Sequence, residues 1–196
     1  MIRLIRQILR WPTRVRNTLL LRLKGVKSGR ALRIRGRLYV RGSGNVELGD
    51  HVSINSGFTY NAVGSATHTS LETIGEGRIV IGHRAGLSNC VLSSRTSVTI
   101  GDDVLLGGGV QVFDHDFHSL VYHQRIQSPD RWIKSRAVVI EQGAFIGTRS
   151  ILLKGTHIGA RSVIGAGSVV SGSVPPDEIW AGNPAVFVKA INQQHA

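Results

Sequence analysis

The chain has 196 residues, enough for one domain with its own core and too few for two large ones. Hydrophobic residues are 41% and charged residues 18%, which excludes wholesale disorder; the single cysteine, Cys90, excludes a disulfide framework and a multi-cysteine zinc site. The net charge of +12 is unevenly held, because residues 1–41 carry 13 of the 24 Lys and Arg and none of the 12 acids, leaving the rest near neutral.

Residues 1–33 read as a basic amphipathic arm. Ile2, Ile5, Ile8 and Leu9 recur at helical spacing, and Arg3, Arg6, Arg10 and Arg14 step by three or four. Pro12 predicts a break. No apolar run reaches the length of a membrane span or of a secretory signal, so the expected location is cytoplasmic. Two partners fit residues 1–27: an anionic membrane surface, met peripherally, or the protein itself or a neighbouring subunit. Nucleic acid is disfavoured, because the basic character is confined to the arm.

Residues 34–190 repeat. Leu48-Gly49-Asp50-His51-Val52 with Ile54 is echoed by Ile81-Gly82-His83-Arg84-Ala85 with Leu87, and by Ile100-Gly101-Asp102-Asp103-Val104 with Leu106. From Ile140 the aliphatics fall every six residues, at Ile146, Leu152, Ile158, Ile164 and Val170. Four residues after each stands a small or β-branched residue: Ala144, Ser150, Thr156, Ser162, Ser168 and Val174. Six is a poor helical period but suits a short strand plus a corner. Three such edges close a triangular coil, and stacked coils pair strand on strand. The predicted fold is an all-β parallel solenoid with two interruptions. One runs from Gly57 to Arg78; the other is a loop at 113–138. Residues 191–196 form a tail.

The Ile-Gly-x-x-Ser-x repeats, with Pro175-Pro176 and Trp180-Ala181-Gly182-Asn183-Pro184-Ala185, resemble the hexapeptide-repeat acyltransferases, and among them the polysaccharide and sugar O-acetyltransferases. The resemblance implies a left-handed β-helix, a homotrimer with sites between subunits, acetyl-CoA as donor and a saccharide acceptor, with no metal required. It implies donor contacts at Phe145, Thr148, Ala166, Ser171 and Lys189. Val186 stands where the family often has a basic residue, so Arg149, Arg161 or Lys154 could supply phosphate contacts instead.

The second loop is the richest in ionisable groups, opening with Asp114-His115-Asp116-Phe117-His118. Acyl transfer needs a base that takes the acceptor's proton, and histidine suits this at neutral pH. His115 is the candidate, and it matches the family's general base best. His118 is its rival, and Asp114 or Asp116 could orient the ring. Asn89 resembles the family's residue near the acceptor or oxyanion; its other role is a coil corner. Cys90 reads as packing. Three other readings stay open: N-acetylation of an amino sugar, a zinc site of the gamma carbonic anhydrase kind using His83, His118 and His123, and a non-enzymatic scaffold.

Overall fold

The computed structural model describes residues 2–42, 44–63, 68–127, 129 and 131–192, with the backbone alone for 2–11. The side chains proposed to line the first turns of the arm therefore lie outside the described residues, as does the tail beyond Asn192.

The chain winds into coils of three short strands, and each strand pairs in parallel with the strand three places on. This builds three faces. The first holds seven strands, from Lys27–Ser28 to Ser173–Val174. The second holds eight, from Arg33–Gly36 to Glu178–Gly182, closed by the antiparallel Ala185–Ala190. The third holds six, from Tyr39–Gly42 to Val169–Val170.

Register explains the six-residue period. On the first face Leu48, Ile81, Ile100, Ile140, Ile158 and Val174 stand one above another. On the second, Ile34, Ile54, Leu87, Leu106, Ile146 and Ile164 do so. On the third, Val40, Leu71, Leu92, Val112, Leu152 and Val170 form the column. Almost every member is buried. Each such side chain removed from water contributes about 1.5–3 kcal/mol.

The small residues four places on occupy the corners. Ser150, Thr156, Ser162 and Ser168 are buried, and each hydroxyl donates to a backbone carbonyl, so no polar group is left unsatisfied there. Corners also use left-handed backbone at ordinary residues. Arg84, Asp103 and Arg161 have φ of 58°, 58° and 59°. Their amides donate to the preceding coil, to Asp50 O, His83 O and Gln142 O, each at 2.9 Å. These bonds offset the cost of the strained conformation.

The arm departs from expectation in two ways. The helix is continuous from Ile2 to Leu23 with Pro12 inside it, and the first strand begins at Lys27, within the stretch grouped with the arm. Its later turns are held by the first coil, which outweighs the bond that Pro12 cannot donate. Asn17 is buried, donates through Nδ2 to Gly36 O at 2.8 Å and accepts from Leu38 N. Gly36 has φ +84°, and a Cβ there would lie 1.7 Å from Ser56 O, so no other residue fits. Leu21 joins the core.

The first interruption is also shorter than the sequence implied. Ser70–Thr73 is a regular third-face strand with Leu71 fully buried, so the excursion spans only 57–69. The second leaves after Phe113 and returns at Val138, with a short helix at Tyr122–Arg125.

Ile158 sits mid-column with no exposed surface. Ile158→Val should lower unfolding stability by about 0.5–1.5 kcal/mol and Ile158→Ala by about 2–5 kcal/mol. Both should move the denaturant midpoint at constant slope.

Candidate active site

The second excursion leaves at the corner between the third and first faces. The strand ends at Phe113, paired with Ser93 of the preceding coil. The next side chain, Asp114, turns in over the preceding corner, Ser94-Arg95-Thr96. Its Oδ2 accepts from Ser94 Oγ at 2.7 Å and from the Thr96 amide at 2.8 Å, and its Oδ1 accepts from the Arg95 amide at 2.8 Å. His115 Nδ1 lies 2.9 Å from the same Oδ1.

A carboxylate this fully bonded is an acceptor, so the geometry assigns the proton to Nδ1 and leaves the lone pair on Nε2. Burial pushes the Asp114 carboxyl up; the His115 ring N–H, the Arg95 amide, the Ser94 hydroxyl and the Thr96 amide together outweigh it and hold it below its ordinary value. The pair is almost wholly buried, with side-chain exposures of 1% for His115 and 0% for Asp114. Phe117 lies against the imidazole, 4.9 Å between ring centroids, and packs edge-on to Phe113 at 5.0 Å.

The excursion is clasped at its root. Arg136 N donates to Asp114 O at 2.7 Å, Asp116 N to Lys134 O at 2.9 Å, and His115 bridges Ser135. Asp116 is engaged by Lys154 and does not orient the imidazole. Its Oδ2 is buried and has no hydrogen-bond partner among the described residues. His118 is exposed. The cradle Ser94-Arg95-Thr96 was missed in the sequence. It lies about one coil before Asp114, and that spacing was the only signal for it.

Asn89 does not join this group within one chain. It sits at the corner between the second and third faces, at the other end of the third face. Its side chain is fully buried, accepting from Gly57 N at 2.7 Å and donating to Asn61 O at 2.8 Å. It ties the corner to the first excursion. Cys90 is buried, and burial pushes its thiol up to about 12, which suits packing and not a nucleophile.

The expected donor residues divide between two places. Phe145 is on the second face, 45% exposed. Thr148 and Ala166 stack in successive corners after that face, where a Cβ on Gly147 would lie 2.5 Å from Ala166 N. Lys189 is exposed on the closing antiparallel strand. Ser171 lies elsewhere, at the third-to-first corner, on the His115 side. Arg161 is paired with Asp177 and Lys154 with Asp116, so neither is an uncommitted phosphate ligand. His83 accepts from Asp50 N at a first-to-second corner, apart from His118 and His123 in the excursion. Among the described residues, no three His, Cys, Asp or Glu come together as metal ligands.

Comparisons with known proteins agree with this architecture. The family described as bacterial transferase hexapeptide (six repeats) matches residues 137–172. The Escherichia coli K12 protein named putative lipopolysaccharide biosynthesis O-acetyl transferase WbbJ is 32% identical over 167 residues, covering 82% of this chain and 80% of that one. The galactoside O-acetyltransferase of the same organism is 32% identical over 108 residues, 54% of this chain and half of that one. Among solved structures, the Vibrio cholerae hexapeptide-repeat acetyltransferase VCA0836, complexed with acetyl coenzyme A, superposes with TM-score 0.62 at 27% identity, covering 92% of this chain and 79% of that one. The Bacillus cereus N-acyltransferase AntD superposes with TM-score 0.71 at 19% identity, covering 90% and 89%, and so shares the fold.

The lowered Asp114 acidity has a stability consequence. Between the folded value and the ordinary 3.8, the unfolded chain binds more protons than the folded one. The contribution is therefore complete above 3.8 and is lost as pH falls through the folded value. Acid titration of unfolding stability should show this loss in the wild type. Asp114→Asn, which turns an amide toward the donors of Ser94 and Thr96, should start about 1–3 kcal/mol less stable at neutral pH and lose less on acidification.

Proposed function

This chain belongs to the hexapeptide-repeat acyltransferases, left-handed parallel β-helix proteins, and is an acetyltransferase; from that premise we propose that it moves an acetyl group from acetyl-CoA to a hydroxyl of a saccharide, in the building of cell-surface polysaccharide, with His115 as general base. The observation that carries this reading is the buried Asp114–His115 pair seated on the amides of Arg95 and Thr96. The 32% identity to a lipopolysaccharide O-acetyl transferase across most of both chains supports the acceptor class.

The transfer is direct. His115 Nε2 takes the proton of the sugar hydroxyl as its oxygen attacks the thioester carbonyl carbon. The C–O bond forms, the tetrahedral intermediate collapses and the C–S bond breaks. The imidazolium returns the proton to the leaving thiolate, giving the acetyl ester and CoA. Asp114 holds the tautomer and stabilises the imidazolium between these steps. Phe117 packs against the ring, whose side chain is 1% exposed, so the acceptor reaches Nε2 only where the groups packed on it give way. His118, exposed three residues on in the same excursion, is a candidate to contact the acceptor.

The donor runs along the second face, past Phe145 to the corners at Thr148 and Ala166, with Lys189 toward the phosphates. This group and the His115 and Ser171 side lie on different parts of one chain. That separation favours a homotrimer, in which one copy's donor face meets the next copy's base.

The test is acetyl-CoA turnover by the purified chain, read as CoA release, over neutral and amino sugars. His115→Ala should lower kcat by about 10²–10⁴ while acetyl-CoA still binds. Asp114→Asn should lower kcat with little change in donor affinity. Full activity of His115→Ala, or a loss confined to His118→Ala, would move the base elsewhere. Turnover of amino sugars alone would make the enzyme an N-acetyltransferase.

A further inference from the structure

We propose that the N-terminal helix rests on an anionic membrane surface, with Val15, Leu19 and Leu23 against the lipid and an arginine-lined cleft beside them holding lipid phosphates. This goes beyond the acetyl-transfer reading and does not depend on it.

The helix is tied to the first coil along one side, by Asn17 and Leu21. Val15, Leu19 and Leu23 follow at intervals of four on the side facing away, and they are 50%, 55% and 75% exposed. Arg14, Thr18 and Arg22 form the next row, at the same intervals. An apolar stripe pointing out from the body and edged by arginine is the arrangement of an interfacial helix. Among the described residues no helix is long and apolar enough to cross a membrane, so this contact is lateral.

Behind that row lies a cleft of about 780 Å³ between the helix and the first coil. Arg14 and Arg22 line one wall, Arg33 and Arg35 the other, and no Asp or Glu lines it. Among the described residues, none of these four guanidinium groups has an ion-pair partner. Elsewhere Arg84 is paired with Asp103 and Arg161 with Asp177. Leu21 and Ile34 add aliphatic surface to the same cleft. Phosphodiester headgroups satisfy the arginines, and the tails beneath them cover the stripe.

Two other occupants fit less well. A second copy set stripe to stripe would bring Arg14 and Arg22 against like charge. Nucleic acid or a free nucleotide would satisfy the cleft and leave the stripe in water.

The experiment is flotation of the full chain with vesicles of phosphatidylcholine alone or mixed with phosphatidylglycerol. Binding should require phosphatidylglycerol and weaken as salt is raised. The double variant Val15→Asp/Leu19→Asp should bind at least about tenfold more weakly, and Arg33→Gln or Arg35→Gln about fivefold each. These positions are exposed or half-exposed, so melting temperature should fall by no more than a few degrees. Absence of binding to mixed vesicles, or equal binding by the stripe variant, overturns the proposal. So does arginine-dependent stabilisation by inorganic pyrophosphate without vesicle binding, which would make the cleft a site for a small anion. If the stripe variant changes only self-association in sedimentation, the partner is a second copy.

Discussion

A coil of this solenoid cannot bury its own aliphatic side chains; they are covered only by the coils before and after. The structure therefore depends on vertical register. Ile81, Ile100, Ile140 and Ile158 must stand in one column, and the same holds on the other two faces. A one-residue slip would turn each strand's inward side chain outward. The corners hold register against this, through serine and threonine hydroxyls bonded to carbonyls and amides reaching from one coil to the next. Extra chain can enter only where it leaves these bonds intact, and both excursions leave between a strand's end and the next strand.

The candidate site is a product of the same stacking. A buried carboxylate next to an imidazole is costly unless its oxygens are bonded. Asp114 meets that condition because the preceding corner presents two amides and a hydroxyl where its side chain turns in. The cradle is rigid because it belongs to the coil ladder and not to the loop. His115 thus stands at the root of an irregular segment while its orientation is set by the most regular part of the molecule. That is how a loop residue can keep one tautomer and one direction.

The fold was legible wherever the repeat is local. Six-residue spacing from Ile140 to Val170 needs no knowledge of distant contacts, and it maps onto the three faces in turn. It failed at Ser70–Thr73, where one buried Leu71 is flanked by polar residues and the strand exists because Val40 and Leu92 lie on either side of it. Pro12 misled for a similar reason, since the helix is fixed by Asn17 and Leu21 on the first coil. At the site, adjacency pointed to Asp114 or Asp116 equally. The choice between them rests on Ser94, Arg95 and Thr96, a coil away. The side-chain bonds of Asn89 to Gly57 and Asn61 were not legible, because those residues lie in an excursion that carries no repeat. The division of Phe145, Thr148 and Ala166 from Ser171 follows from which face or corner each occupies, which a linear count does not display.

A solenoid also has two ends, where the last aliphatics of each column would face water. The antiparallel strand Ala185–Ala190 extends the second face at one end, and the helix lies across the first coil at the other. The charge distribution follows this division of labour. Along the body, several basic groups are matched in neighbouring coils, as Lys27 and Arg78 flank Glu47 and Arg84 faces Asp103. Stacking makes such matching easy, because residues one coil apart fall side by side. The helix has no coil on its outer side to supply acids, so among the described residues Arg14 and Arg22 stay unmatched, and Arg33 and Arg35 below them share that end. The net charge of +12 is thus a property of one end of the molecule. An excess placed there, beside outward-facing Val15, Leu19 and Leu23, adds nothing to the packing of the coils and is available to whatever that end meets.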